Sequence, residues 1–151
     1  NAIKETNYQS IIISGNADAG SQRIKKIIKN SNILNYENLP FQKYISLLKY
    51  SSAIVGNSSS GIMEAPFLHI PSINIGTRQE GRSNTTSIIN VKYNKKAIKK
   101  AIKKAIEDKK FIKSIKKQKN QHGNGNSSKK IVQIIEKINF EKIPIQKKLA
   151  Y

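Results

Sequence analysis

The sequence predicts an α/β domain: a parallel sheet of about five strands flanked by helices. Three observations carry this expectation. Short apolar runs, most of them ended by Ser, Gly or Asn, recur between residues 11 and 91. Segments with apolar residues at helical 3–4 spacing lie between them. The 151 residues are enough for one domain with a real hydrophobic core. Strands separated by helices need crossover connections, which make the strands parallel and cover the sheet on both faces. Ligands of such sheets sit beyond the C-terminal strand ends. The loops 14–21, 37–40, 56–61 and 76–86 are therefore where a site is expected.

The elements follow in order. Ile11-Ile12-Ile13, closed by Ser14-Gly15, reads as a buried strand. Residues 19–30 read as a helix with Ile24, Ile27 and Ile28 on one face. Residues 33–36 are a weaker strand. Pro40 opens a helix that carries Phe41, Tyr44, Ile45 and Leu48 on one face. Residues 53–56 form a third strand, 58–68 a turn and a helix, 71–76 a fourth strand and 87–91 a fifth. Residues 95–107 repeat Lys-Lys-Ala-Ile three times, which sets Ala97/Ile98, Ala101/Ile102 and Ala105/Ile106 roughly on one face and the lysine pairs opposite. A further helix covers 109–119. Residues 122–126 are a Gly/Asn loop, and Asn126 or Ser127 caps a last helix that packs Ile131, Ile134, Ile135 and Ile138. The tail, 140–151, is apolar without a clean period and is expected to lie along another surface.

Charge is the other conspicuous feature. The chain has 28 Lys+Arg against 9 Asp+Glu, a net charge of +19. That balance suggests an anionic partner: nucleic acid, an acidic membrane or a phosphorylated small molecule. Only three of the cations are Arg, however (Arg23, Arg78, Arg82), and Arg is the residue that reads bases and phosphates with a bidentate fork. Ile, Lys and Asn, all with A/T-rich codons, make up 68 residues, so a biased genome can supply much of the lysine. Residues 92–151 hold +15 of the charge. The lysine-paired face at 95–117 has no aromatic interleaving and reads as solvated rather than as a nucleic-acid or membrane surface. The chain has no Cys, which excludes disulfide scaffolds, thiolate metal sites and Cys nucleophiles. His69 and His122 are isolated, so no metal site and no cofactor are expected. His69 reads as packing or capping near Pro71, and His122 as solvated. No apolar run approaches the roughly 20 residues of a membrane span. The chain begins at Asn1 without a signal-like segment and reads as a piece of a longer protein.

Four loops carry candidate chemistry. Gly56-Asn57-Ser58-Ser59-Ser60-Gly61 lies between a strand and a helix. A helix start offers free N–H groups, and serine hydroxyls add donors without bulk, as a phosphate site needs. A polar turn with a serine N-cap is the plain alternative. The spacing fits neither a Walker A loop nor a nucleophile elbow. Glu64, within two turns, can accept both hydroxyls of a ribose or simply complement a helix dipole. Gly76-Thr77-Arg78-Gln79-Glu80-Gly81-Arg82 holds two of the three arginines, where a planar fork is useful. A surface loop with incidental cations is its alternative. In Asn16-Ala17-Asp18-Ala19-Gly20-Ser21, Asn16 can offer an amide to a ligand, while Asp18 or Ser21 can cap a helix.

Together these loops resemble the C-terminal domain of the hydrolysing UDP-N-acetylglucosamine 2-epimerases of sialic-acid and nonulosonic-acid pathways. The matching stretches are NADAGS (16–21), GNSSSGIME (56–64), NIGTRQEGR (74–82) and HGNGN (122–126), with FEKIPIQKK (140–148) similar to the family's C-terminal segment. The resemblance implies a GT-B-like two-domain enzyme, of which this chain is one Rossmann-like half. Residues 1–139 would be the UDP-binding domain, and 140–151 a tail crossing toward the missing N-terminal domain. It further implies that Ser58 and Ser59 bind the diphosphate and Glu64 the ribose. Asn16, the backbone around Leu39, and Arg78 would complete the UDP site, with Arg82 in the matching loop as a further candidate. The full-length enzyme would eliminate UDP across C1–C2 and add water to the 2-acetamidoglucal, giving N-acetylmannosamine. No position here matches the family's acid–base residues, and no acid–base pair is evident in the chain. No catalytic residue is therefore expected in it, and the chain alone should bind UDP without turnover. Its contribution would be leaving-group binding and electrostatic stabilisation of the departing diphosphate. The implied partner is a UDP-sugar rather than nucleic acid or membrane, the implied location cytoplasmic, and the full-length protein a homo-oligomer. The rivals are a basic nucleic-acid-binding module and the donor-nucleotide domain of a GT-B glycosyltransferase.

Overall fold

The computed structural model describes residues 2–14, 21–82, 85–121, 123–139 and 142–143. It has five strands: β1 (Ile11–Ile13), β2 (Leu34–Tyr36), β3 (Ile54–Gly56), β4 (Ser72–Ile75) and β5 (Ile88–Val91). Its helices are α1 (Ser21–Lys29), α2 (Phe41–Lys49), α3 (Glu64–Phe67), α4 (Lys95–Glu107), α5 (Lys109–Lys116) and α6 (Ser127–Lys137). Short 3₁₀ turns occupy Ile3–Glu5 and Ser59–Gly61. The chain divides into two compact units, 1–121 and 122–151. No helix among the described residues is long and apolar enough to cross a membrane.

All strand pairs are parallel, as the crossover argument requires. In the three-stranded sheet β3-β4-β5, Gly56 pairs with Asn74 and Asn74 with Asn90. β1 and β2 form a separate two-stranded ladder, Ile11 opposite Leu34. The expected sheet of about five is thus met by five strands in two ladders. β1 and β3 are three residues long, which leaves very few bonds per edge to join them.

The core of the first unit lies where α4 packs on β4. Ile73, Ala101, Ile102 and Ala105 are buried together, and Val55, Ile75, Ile89, Val91, Ile98 and Ile106 pack around them. The small Ala101 and Ala105 let the helix approach the sheet, and the lysines of the four-residue repeat face outward. Caps define the helix ends. Asn94 Oδ1 accepts the Ala97 N–H at 3.0 Å, and Asp108 Oδ1 accepts that of Phe111 at 3.0 Å, so Asp108 both ends α4 and starts α5.

The N-terminal segment is fastened along α4. Ile3 and Tyr8 pack on the core. Glu5 accepts from Lys95 Nζ at 2.6 Å and Lys99 Nζ at 3.0 Å, and the Tyr8 hydroxyl donates to Glu107 Oε1 at 2.5 Å. The two ammonium groups hold the Glu5 carboxyl below the ordinary range, and the Glu107 carboxylate raises the Tyr8 phenol.

Two packing expectations are corrected. The apolar stripe of α1 exists, but Ile24 and Ile27 are 57% and 63% exposed, because no described residue covers that face. In the second unit, Ile131, Ile134, Ile135 and Ile138 are likewise exposed rather than packed. Asn126 occupies the N-cap position of α6 with φ −93°, but its side chain makes no cap bond. Its own N–H donates to Asn124 Oδ1 at 3.3 Å.

Candidate functional site

The site candidates gather at the C-terminal ends of β3 and β4. After Gly56 the chain turns at Ser58, whose extended backbone (φ −70°, ψ 145°) and Oγ cap the 3₁₀ turn. That Oγ accepts the Ser60 N–H at 3.3 Å. The Ser58 and Ser59 side chains are exposed, whereas Ser60 is buried and its Oγ accepts from the Tyr44 hydroxyl at 2.5 Å. The expected turn and helix are present in shortened form. The Ser59 carbonyl takes the N–H groups of Ile62 and Met63 at 2.9 Å, and α3 is a single turn. A helix this short has little macrodipole, so hydroxyl donors, not a dipole, are what this turn offers an anion.

α3 ends in a Schellman motif. The Ile70 N–H donates to Ala65 O at 2.8 Å and the His69 N–H to Pro66 O at 3.2 Å, with His69 at φ 57° in the place usually held by Gly. The His69 Nδ1 lies 3.0 Å from Ile115 O. This histidine is a capping residue that ties α3 to α5, as its position near Pro71 suggested.

Glu64 opens α3. It is half-buried, and its Oε2 is buried with no hydrogen-bond partner among the described residues. Gly76, at φ 79°, turns the chain out of β4 beside Tyr93. Two consecutive turns follow, Glu80 N–H to Thr77 O at 2.9 Å and Arg82 N–H to Gln79 O at 3.3 Å. Arg78 and Arg82 are exposed on these turns. Between them Gln79 is 6% exposed and donates from Nε2 to Asn57 O at 2.8 Å. That bond joins the arginine loop to the serine loop. A cavity of about 290 Å³ opens alongside, bordered by Asn74, Gln79, Glu80, Arg82 and Asn90. Its floor is a cross-strand amide pair, Asn74 Nδ2 to Asn90 Oδ1 at 2.8 Å.

Ser58, Ser59 and Glu64 therefore share one short stretch, and the Arg78 loop is tied to it. Leu39 is half-buried in the loop after β2, directly before Pro40, the N-cap residue of α2. One turn into α2, Tyr44 reaches Ser60, so this helix start adjoins the serine turn. Asn16, Asp18 and His122 lie outside the described residues. No group of three or more potential metal-binding side chains occurs among the described residues. Sequence reasoning missed Gln79, Asn74 and Asn90. A signal for the asparagines was present: each is the third residue of a four-residue strand, an element in which Asn is disfavoured.

Comparison with known proteins places the chain in a family. Residues 1–136 match the family model described as UDP-N-acetylglucosamine 2-epimerase. The chain is 34% identical over 132 residues to the polysialic acid biosynthesis protein P7 of Escherichia coli, covering 85% of this chain and 34% of that protein. It is 44% identical over 94 residues to the GDP/UDP-N,N′-diacetylbacillosamine 2-epimerase (hydrolyzing) of Campylobacter jejuni, covering 58% of this chain and 24% of that protein. Its fold resembles that of the Methanocaldococcus jannaschii UDP-GlcNAc 2-epimerase solved with UDP-GlcNAc and UDP. There the TM-score is 0.58 and the identity 26%, covering 77% of this chain and 31% of the other. The chain spans about a third or less of these relatives' lengths. With a family model matched over most of its residues and a parallel α/β fold shared with a solved member, the chain belongs to the UDP-N-acetylglucosamine 2-epimerase family.

Proposed function

We propose that this chain is the UDP-binding half of a hydrolysing UDP-N-acetylglucosamine 2-epimerase, the C-terminal one of two Rossmann-like halves. The observation that carries the reading is Glu64 Oε2, a carboxylate oxygen buried without a donor among the described residues, on the single-turn helix that follows the exposed Ser58 and Ser59. Burying such an oxygen unpaired is costly, and ribose hydroxyls supply the donors it lacks. Ser58 and Ser59 hold the diphosphate, Arg78 adds a planar cationic fork to it, and Asn16 and the backbone at Leu39 complete the UDP site. Arg82, on the same loop, is a further candidate. In the whole enzyme these groups stabilise the departing diphosphate as UDP is eliminated across C1–C2. The acid–base chemistry and the water addition belong to the other half.

Calorimetric titration of the full-length protein with UDP and with uridine tests the assignments. Glu64→Ala weakens both ligands by about tenfold or more. Arg78→Ala weakens UDP by a similar factor and leaves uridine nearly unchanged. A wild-type protein that does not bind UDP overturns the reading. Incubation with UDP-N-acetylglucosamine then separates the reaction modes. Release of UDP and N-acetylmannosamine supports the hydrolysing one, whereas an intact nucleotide sugar epimerised at C2 removes it. The similarity to the Campylobacter enzyme makes a UDP-2,4-diacetamido-trideoxy sugar the alternative substrate for the same assay.

A further inference from the structure

We infer that Gln79 is a positioning residue that locks the arginine loop onto the serine turn, so that Arg78 and the Ser58/Ser59 hydroxyls converge on one diphosphate. This rests on the UDP-binding reading above. Three facts support it. Gln79 is a neutral amide buried to 6% exposure between two exposed arginines, so its side chain points opposite to its neighbours'. Its Nε2 donates to Asn57 O, on the residue immediately before Ser58, at 2.8 Å across 22 positions of sequence. Its own carbonyl accepts the Arg82 N–H at 3.3 Å, so the same residue also sets the second turn of the loop. Gln79 thereby connects both arginines to the backbone of the serine turn.

The chemistry of the bond is specific. Only a donor can satisfy the Asn57 carbonyl. Glu at this position has the same shape but sets a carboxylate oxygen against a carbonyl oxygen, and Met has nearly the same volume with no donor. Without the bond the loop loses this tie to the residue before Ser58, and Arg78 keeps its charge on a loop less firmly held against the serine turn.

A double-mutant cycle in the full-length protein tests this, reading UDP affinity by calorimetry and thermal stability in parallel. Gln79→Met is expected to weaken UDP about tenfold, with uridine affected less. Arg78→Ala should then cost clearly less in the Gln79→Met background than in wild type, because the guanidinium is already misplaced. Gln79→Glu should match Gln79→Met and serves as the second variant if the Met protein does not fold. The inference is overturned if Arg78→Ala has the same effect in both backgrounds, or if Gln79 variants lower stability and leave UDP affinity intact. Absence of UDP binding by the wild type is a different outcome, which removes the functional reading itself.

Discussion

Gly61 has no room for a side chain. A Cβ placed there would lie 2.5 Å from Ser72 Oγ, on a residue only 2% exposed. The close approach is what lets the serine turn rest on β4. Gly61→Ala should destabilise the protein by about 1–3 kcal/mol through overpacking. The same change in a Ser72→Ala background should cost much less, since the next atom, Ser72 Cβ, is 3.7 Å away. Thermal melts of the four proteins check this, and an equal penalty in both backgrounds refutes the contact. Ile73 shows the opposite requirement. It is fully buried at the centre of the core, and Ile73→Ala should cost about 2–5 kcal/mol. The candidate residues were legible in the sequence where their chemistry is local. The serines, Glu64 and Arg78 stand in recognisable spacings. Gln79 was not, because what defines it is a backbone carbonyl 22 residues away, and nothing in Arg-Gln-Glu says that the middle residue turns inward.

At the scale of elements, periodicity was the reliable guide. The Lys-Lys-Ala-Ile repeat gives α4 its limits and its buried face, and each short apolar run became a strand. What periodicity does not contain is extent and cover. It reads 58–68 as a turn and a helix without saying that the turn takes the first half and leaves the helix only Glu64–Phe67. It marks the Ile24/Ile27 stripe as apolar without saying that no described residue lies over it. The fastening of the N-terminal segment on α4 is also a matter of elements, and its pH dependence follows from its two shifted groups. Glu5 titrates lower in the folded protein than its ordinary value of 4.5. Its contribution is therefore complete above about pH 4.5 and lost as pH falls through the lowered value. Tyr8 titrates higher than its ordinary 10.0, so its contribution is present below pH 10 and lost as pH rises through the raised value. A Glu5→Gln protein should be less stable than wild type at pH 7, with the difference shrinking as pH falls below 4.5. Both are read by denaturant melts. The pairs are exposed, so the difference should also shrink in salt.

For the whole molecule, the net charge of +19 acts mainly through self-repulsion. Among the described residues, ion pairs engage Lys25, Lys95, Lys99 and Lys103, and Lys104 lies 5.0 Å from the centre of the Phe111 ring. Raising ionic strength from low to physiological should increase overall stability as repulsion is screened, and slow the association of an anionic nucleotide. A melting temperature that falls with salt would mean that the few attractive pairs outweigh the repulsion. The architecture at this scale was largely legible: the α/β class, the parallel strands and the positions of the loops follow from the alternation of elements. The division into two ladders was not, because the pairing of β1 is decided by tertiary placement and not by anything within three isoleucines.

The clasp between the first residues and α4 also has a temporal side. Glu5 meets Lys99 across 94 positions and Tyr8 meets Glu107 across 99. During synthesis this segment precedes α4, so Ile3 and Tyr8 cannot take their places on the core until α4 has been made. Closing so long a loop is entropically demanding, and contacts of such sequence separation slow folding. Assembly of this domain is therefore gated by the arrival of residues 95–107. A nascent chain stalled before that helix clears the exit tunnel would present its unpaired strands and apolar surface to chaperones.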